Sequence, residues 1–314
     1  MTGVGLLIAA TVLLIVGAEL FVENAAGASR RLGITAFGVG MLLAGAEPEE
    51  LITAVIAAVR GHPGLAAGDA VGANITMLTL TLGIAAVARP VPFGPRVRSY
   101  ALLASLTGVF ALIALTGGGI GRLAGALLVA AYVAMVALVW RRERGLPAIG
   151  ELTEILEHAD NDDDVDEPQP TRGGALVLLF IGLAFMAIGG HAAVSGALRL
   201  VDSLDVRDTT VGLTLLALAT TAELFALVWS AARRGASELA VAGIMGSAAY
   251  NATATLGIAA LVQPLVITGL ISAAVTAAVL PAVLIVLSRS GRLSRGAGLL
   301  LVVVYGVFVV VAYR

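Results

Sequence analysis

Apolar residues make up 59% of this 314-residue chain and charged residues only 13%, with a mean hydropathy of +1.00. That composition excludes a soluble globular domain and assigns the chain to a lipid bilayer. With no cysteine there is neither a disulfide framework nor a thiolate metal site, and a formal net charge of −2 without a basic patch leaves nucleic-acid binding unsupported.

A helix needs roughly 20 residues to cross the hydrocarbon core. On that measure the apolar runs predict ten spans, near 3–22, 34–59, 65–88, 100–118, 122–140, 174–198, 208–232, 238–262, 264–287 and 295–313. The first has no basic leader and runs into Glu19 and Glu23 without a small-residue cleavage site, so it reads as a membrane helix whose acids cap its end or face water. The runs 34–59 and 208–232 are longer than a span requires and carry acids, which predicts helices tilted, kinked or broken at the acidic motif. Five spans precede the polar segment and five follow it. The expected fold is an all-α integral membrane protein: residues 1–140 and 174–314 form two five-helix repeats of inverted topology, joined by the linker 141–173.

The linker begins basic and turns acidic, with nine carboxylates between Glu151 and Glu167. Residues 151–158 suit a short helix and 161–170 a disordered tether. A calcium-sensing loop at 160–166 lacks the turn glycine and closing glutamate of an EF-hand, so a solvated connector is expected. All cationic side chains other than the three histidines are arginine, fourteen of them on the linker side and five (Arg60, Arg122, Arg199, Arg207 and Arg314) on the other. That bias predicts an integral protein of the cell (inner) membrane with both termini outside and the linker in the cytoplasm.

The halves are copies. An offset of 174 positions pairs Gly38 with Gly212, Glu49 with Glu223, Arg60 with Arg234, Gly72 with Gly246, Thr79 with Thr253 and Pro90 with Pro264 without a gap. The run 82–86 is repeated as 256–260. A carboxylate at matching apolar positions of a repeat points to a midplane ion site.

In the first copy the acids form the run Glu47-Pro48-Glu49-Glu50. Ionised carboxylates near the bilayer centre cost about 2.5–3.5 kcal/mol each on insertion scales, so they tend to be retained for ions. Pro48 removes a backbone donor and interrupts the helix there, freeing carbonyl oxygens as hard ligands for sodium or calcium. The second copy has Thr220 and Thr221 before Glu223. Further along, Ser247 and Asn251 stand at i and i+4 and share a helix face, whereas the first copy has Ala73 and Met77 in those places and offers Asp69, Asn74 and Thr76 instead. The threonines 79, 81, 253 and 255 fit helix packing. An intramembrane enzyme is disfavoured, because His62, His158 and His191 are scattered and no nucleophile or paired-histidine motif occurs.

These segments, GAELFVENAAGASRRLGIT at 17–35, FGVGMLLAGAEPEEL at 37–51, VGLTLLALATTAEL at 211–224, and the GANI and GSAAYN stretches, resemble the calcium/cation antiporter superfamily, which includes sodium/calcium and proton-coupled calcium exchangers. The resemblance covers nearly the whole chain and implies ten helices in two inverted repeats with outside termini. It also implies an ion site lined by Glu49, Glu223, Ser247 and Asn251. Against the family pattern Gly-Thr-Ser-x-Pro-Glu, both copies are one residue shorter between Gly38 or Gly212 and the glutamate, which leaves a register with Glu50 facing the ion. The gapless offset favours Glu49. Glu47 stands where an alcohol is expected and Met77 where an amide is expected, a shift toward harder and more negative chemistry.

The expected activity is antiport of Ca2+ or another cation against Na+ or H+ by alternating access, with inorganic cations and the bilayer as partners and no resident cofactor. Glu49 and Glu223 would be principal ligands, and of the crowded Glu47, Glu49 and Glu50 at least one would carry a proton when no cation is bound. The alternatives are a membrane scaffold or sensor that binds ions without moving them and, less favoured, a channel, for which a filter ring is wanting.

Overall fold

A computed structural model describes residues 2–31, 47–143, 174–225, 228, 237–267 and 269–314. The predicted linker apart from its first three residues, and the first part of the 34–59 span, lie outside them. Helix α1 (Gly3–Arg31) is followed by α2 (Pro48–Val59) and by α3 (Pro63–Thr76), which passes through a π turn (Met77–Thr81) into α4 (Leu82–Ala88). Helices α5 (Pro95–Leu115) and α6 (Arg122–Glu143) complete the first half. The second half contains α7 (Gly174–Leu204), then α8 (Asp208–Val211), a π turn (Gly212–Leu216) and α9 (Ala217–Thr220) in one run. It continues with α10 (Ser237–Tyr250), a π turn (Asn251–Thr255), α11 (Leu256–Val262), α12 (Ile271–Leu287) and α13 (Arg295–Ala312).

Proline starts several of these helices. Pro48, Pro63 and Pro95 stand in the first turns of α2, α3 and α5, where a missing N–H costs nothing and the fixed φ favours the helix. Among the described residues six helices are long and apolar enough to cross a membrane, while 208–220 and Ile271–Leu287 are shorter apolar helices. The predicted span 264–287 begins late. Residues 265–266 are extended, Gly269 adopts a φ of +84°, and the helix starts only at Ile271, because Pro264 ends one helix and the segment pairs with another strand instead.

The two halves repeat at the level of backbone geometry. Shifted by 174 residues, α3, its π turn and α4 coincide in bounds with α10, its π turn and α11, and strand β1 (Val91–Pro92) coincides with β3 (Leu265–Val266). The halves also exchange contacts. β1 pairs antiparallel with β4 (Arg292–Leu293), and β2 (Gly119–Ile120) pairs antiparallel with β3. Likewise α4 packs on α13 while α11 packs on α6. Glycines set both contacts: a Cβ on Gly83 would lie 2.9 Å from the Gly298 carbonyl, and one on Gly257 2.8 Å from the Gly125 carbonyl.

The first helices of the two halves lie side by side. Gly3 abuts Gly196 and Gly17 abuts Gly182, so residues advancing along α1 meet residues retreating along α7, and the pair is antiparallel. The core is built from small residues. Leu65, Ala66, Ala67, Ala70, Ala73 and Ile75 of α3 are at most 1% exposed, as are Ala240, Val241, Ala242, Ile244 and Met245 of α10.

Candidate ion-binding site

The ends and bends of four elements converge in this core. Glu47 precedes Pro48, and Glu49 and Glu50 lie in the first turn of α2, which puts all three where the helix dipole is positive and favours carboxylates. All three are 1% exposed, as is Asp69 on α3. The buried charged groups among the described residues are these four carboxylates, and no arginine or histidine is buried with them.

The carboxylates are held by neutral partners from the other half. Asn251 Nδ2 donates to Glu47 Oε2 at 3.1 Å. Asn251 is itself aimed by Thr255, whose Oγ1 donates to Asn251 Oδ1 at 3.0 Å. Because Asn251 opens the π turn Asn251–Thr255, the extra residue of that turn sets the direction of its amide. Ser247 and Glu50 lie against the Glu47 carboxylate, and Glu50 has Asp69 and Asn251 as further neighbours. Ser247 Oγ, both Glu50 oxygens and Glu47 Oε1 are buried without a protein hydrogen bond, so they retain lone pairs for a ligand.

Asp69 forms a second centre. Thr220 Oγ1, at the end of α9, donates to Asp69 Oδ1 at 3.1 Å, leaving Oδ2 free of a hydrogen bond. Gly68 and Gly212 permit this approach of α3 to the π turn before α9, their Cα atoms lying within 3.2 Å of a Cβ on the other. Among the described residues no three carboxylate or imidazole side chains converge on one point. A cation here would therefore complete its shell with hydroxyl, amide and backbone oxygens, as hard cations do.

The remaining predicted residues are placed as follows. Glu49 is buried and has Tyr250 as an electrostatic neighbour. Glu223 is half-buried beyond a turn at Thr221, where the helix breaks as its acidic motif predicted, and both glutamates are engaged by neighbouring groups. Thr221 is fully buried and donates to the Ala217 carbonyl at 2.7 Å. Asn74 Nδ2 donates to the Ala248 carbonyl at 2.9 Å, so it meets its own counterpart, 174 residues on, where the copies cross. Its Oδ1 has no partner.

Three contributors were not singled out from sequence. Thr255, expected to serve packing, instead orients Asn251. Tyr132 and Tyr250 stack edge to face, with ring centroids 5.4 Å apart and planes at 72°, beside Glu47. A tyrosine on an apolar helix carries no periodic signal of this kind, but Thr255 is four residues after Asn251, a spacing that places both on one face.

The profile of the sodium/calcium exchanger protein family matches residues 2–141 and 174–314. Relatives include the putative antiporter CaxA of Alkalimonas amylolytica, 29% identical and covering 90% of this chain and 88% of that protein. The inner membrane protein YrbG of Escherichia coli strain K12 is 30% identical over 82% of this chain and 79% of its own length. The sodium-calcium exchanger NCX_Mj, in crystals soaked with 2.5 mM Na+ and 0.1 mM Ca2+, shares the fold with a TM-score of 0.64 at 22% identity, covering 100% of each chain. The matched segments are the two halves on either side of the linker, and they contain the buried carboxylates and their amide and hydroxyl partners. The chain belongs to the sodium/calcium exchanger protein family.

Proposed function

We propose that this cation antiporter of the membrane exchanges Ca2+ or another hard cation for Na+ or H+ by alternating access, at a site formed by Glu47, Glu49, Glu50 and Asp69 from the first half and Thr220, Thr221, Glu223, Ser247 and Asn251 from the second, with Asn74 at the crossing of the copies. One observation carries the reading: among the described residues four carboxylates are buried with no cationic side chain buried beside them. An uncompensated buried charge is costly, so cations must supply the missing positive charge when the acids are ionised. The neutral donors that touch the acids come from the opposite half, so relative movement of the halves would make and break the shell.

The inverted ten-helix arrangement of 1–140 and 174–314 is part of the proposal. Its supports are the antiparallel α1 and α7, the exchanged strand pairs and the common bounds of the two helix–π–helix runs. For orientation, with both termini outside and 141–173 cytoplasmic, the support is the arginine bias together with the sorting of arginines to opposite ends. Arg98 reaches the Ser288 carbonyl at one end, and Arg207 and Arg314 share a cleft at the other.

The test is cation flux in proteoliposomes under separately imposed Na+ and pH gradients, with Ca2+ and other cations as substrates. Uphill Ca2+ uptake driven by one of those gradients is expected. Full flux in Glu49→Gln and Glu223→Gln together with Glu47→Gln and Glu50→Gln would refute the site. Ion-dependent protection of the protein without flux would favour a non-transporting sensor.

A further inference from the structure

A cleft of about 550 Å3 opens between the loop 205–207, the start of α12 and the end of α13. That volume lies within the roughly 300–1,000 Å3 of small-molecule sites. Arg207, Arg314 and Asp205, all exposed, stand at its mouth, Val304, Val307 and Val311 of one α13 face form a side, and the buried Thr210, Leu213 and Ala273 lie at its floor. The seven helical steps from Val311 to Val304 descend about 10 Å along the helix. Since the apolar part of α13 ends at Ala312, the mouth falls at the membrane surface and the wall runs down into the hydrocarbon.

Neither arginine at the mouth pairs with a carboxylate side chain among the described residues. Among the side chains that line it, two guanidinium groups meet one carboxylate, Asp205, beside an apolar face on which Val307 and Val311 are 57% and 60% exposed. We propose that this cleft binds one anionic phospholipid, its phosphate on Arg207 and Arg314 and an acyl chain along Val304, Val307 and Val311. Arginine suits this role because its planar fork pairs with two phosphate oxygens and is weakly hydrated. The floor of the cleft is tied to the transport core: Thr210 Oγ1 donates to the Ala312 carbonyl at 3.1 Å, and Thr214 Oγ1 bonds Tyr313 OH at 3.2 Å. A bound lipid therefore rests on the helical run that ends at Thr220 and its contact with Asp69.

The inference concerns binding and stands apart from the transport reading. It is tested by native mass spectrometry of the purified full chain in micelles titrated with phosphatidylglycerol, phosphatidylcholine or inorganic phosphate. Phosphatidylglycerol is expected to be retained at least about tenfold more tightly than phosphatidylcholine, and the double variant Arg207→Gln, Arg314→Gln should lose most of that preference. Val307→Trp fills the slot with the charges intact and should also abolish retention, with thermal melting in lipid-free micelles confirming that each variant is folded. Equal retention of the two lipids, unchanged binding by the double variant or by Val307→Trp, or displacement of the lipid by millimolar inorganic phosphate would overturn the proposal.

Discussion

Residues 63–88 and 237–262 fold to the same helix, π turn and helix, yet one copy opens its π turn with Met77 and the other with Asn251. At the serine position the pair is Ala73 and Ser247. Among the described residues the four buried carboxylates, Glu47, Glu49, Glu50 and Asp69, all belong to the first half, and the hydroxyls and amide that touch them belong to the second. Backbone and ligand chemistry are thus set by different constraints. Small residues and exchanged packing require the same bends in both copies, while the side chains at those bends are free to diverge so long as the two halves together complete one shell. The division also explains how an acidic cluster is tolerated in a membrane core: it begins at a helix N-terminus and faces neutral donors.

If the first half carries the charge, removing charge there should have the largest effect. Glu47→Gln and Glu50→Gln, measured as Ca2+ flux in proteoliposomes, should each lower transport by about a hundredfold, at the upper end of what loss of a site partner costs. Glu49→Gln separates the two registers. A loss equal to that of Glu50→Gln means that both face the ion, whereas a markedly smaller loss means that Glu50 is the ligand and the gapless alignment misassigns the pair. Full activity of all three would dissolve the contrast between the halves.

The next largest effect concerns the amide. Asn251→Ala leaves Glu47 Oε2 without its 3.1 Å donor and should cost roughly 10–100-fold in apparent cation affinity, read from the KM for Ca2+. Met77→Asn restores the amide that the repeat would place in the first copy. If the halves are complementary rather than redundant, Met77→Asn should not rescue Asn251→Ala. Rescue would mean that either copy can serve the same ion.

Much of this was readable in advance, and for identifiable reasons. Apolar runs must be about as long as the bilayer is thick, so four spans agree with the structure within three residues at both ends, such as Arg122–Glu143 against 122–140, whereas 3–22 and 174–198 fall short of helices that run on to Arg31 and Leu204. The gapless repeat fixed the common bounds of the two helix–π–helix runs, because a backbone bend that two copies share tolerates no insertion. The start of α12 was misplaced, because the apolar stretch 265–270 makes strand and turn contacts that hydropathy does not register. The Asp69–Thr220 contact was invisible in pairwise terms: its members are 151 residues apart and are not counterparts in the repeat. Only the approach of α3 to the π turn Gly212–Leu216 brings them together.

That contact gives a smaller effect. Thr220→Ala removes the hydrogen bond to Asp69 Oδ1, and hydrogen bonds to charged groups are worth about 1.5–3 kcal/mol. A rise of about tenfold in KM is expected. Thr220→Ser keeps the hydroxyl and should restore it, whereas failure of serine to do so would assign the effect to packing of the threonine methyl.

The smallest effect isolates the asymmetry most cleanly. Thr255 and Thr81 are counterparts, 2% exposed or less, and each closes a π turn. Thr255 Oγ1 donates to Asn251 Oδ1, but the residue in the matching place before Thr81 is Met77, which offers no amide oxygen, and Thr81 Oγ1 has no hydrogen-bond partner. Valine has the same shape without the hydroxyl. Thr255→Val therefore loses a neutral hydrogen bond of about 0.5–1.5 kcal/mol and frees the Asn251 amide to turn from Glu47, which should raise the KM for Ca2+ severalfold. Thr81→Val removes a buried hydroxyl that pairs with nothing and should leave KM unchanged while holding or raising the melting temperature. A rise in KM for Thr81→Val would instead make that hydroxyl a ligand in its own right, and the first half would then contribute a neutral oxygen as well as charge.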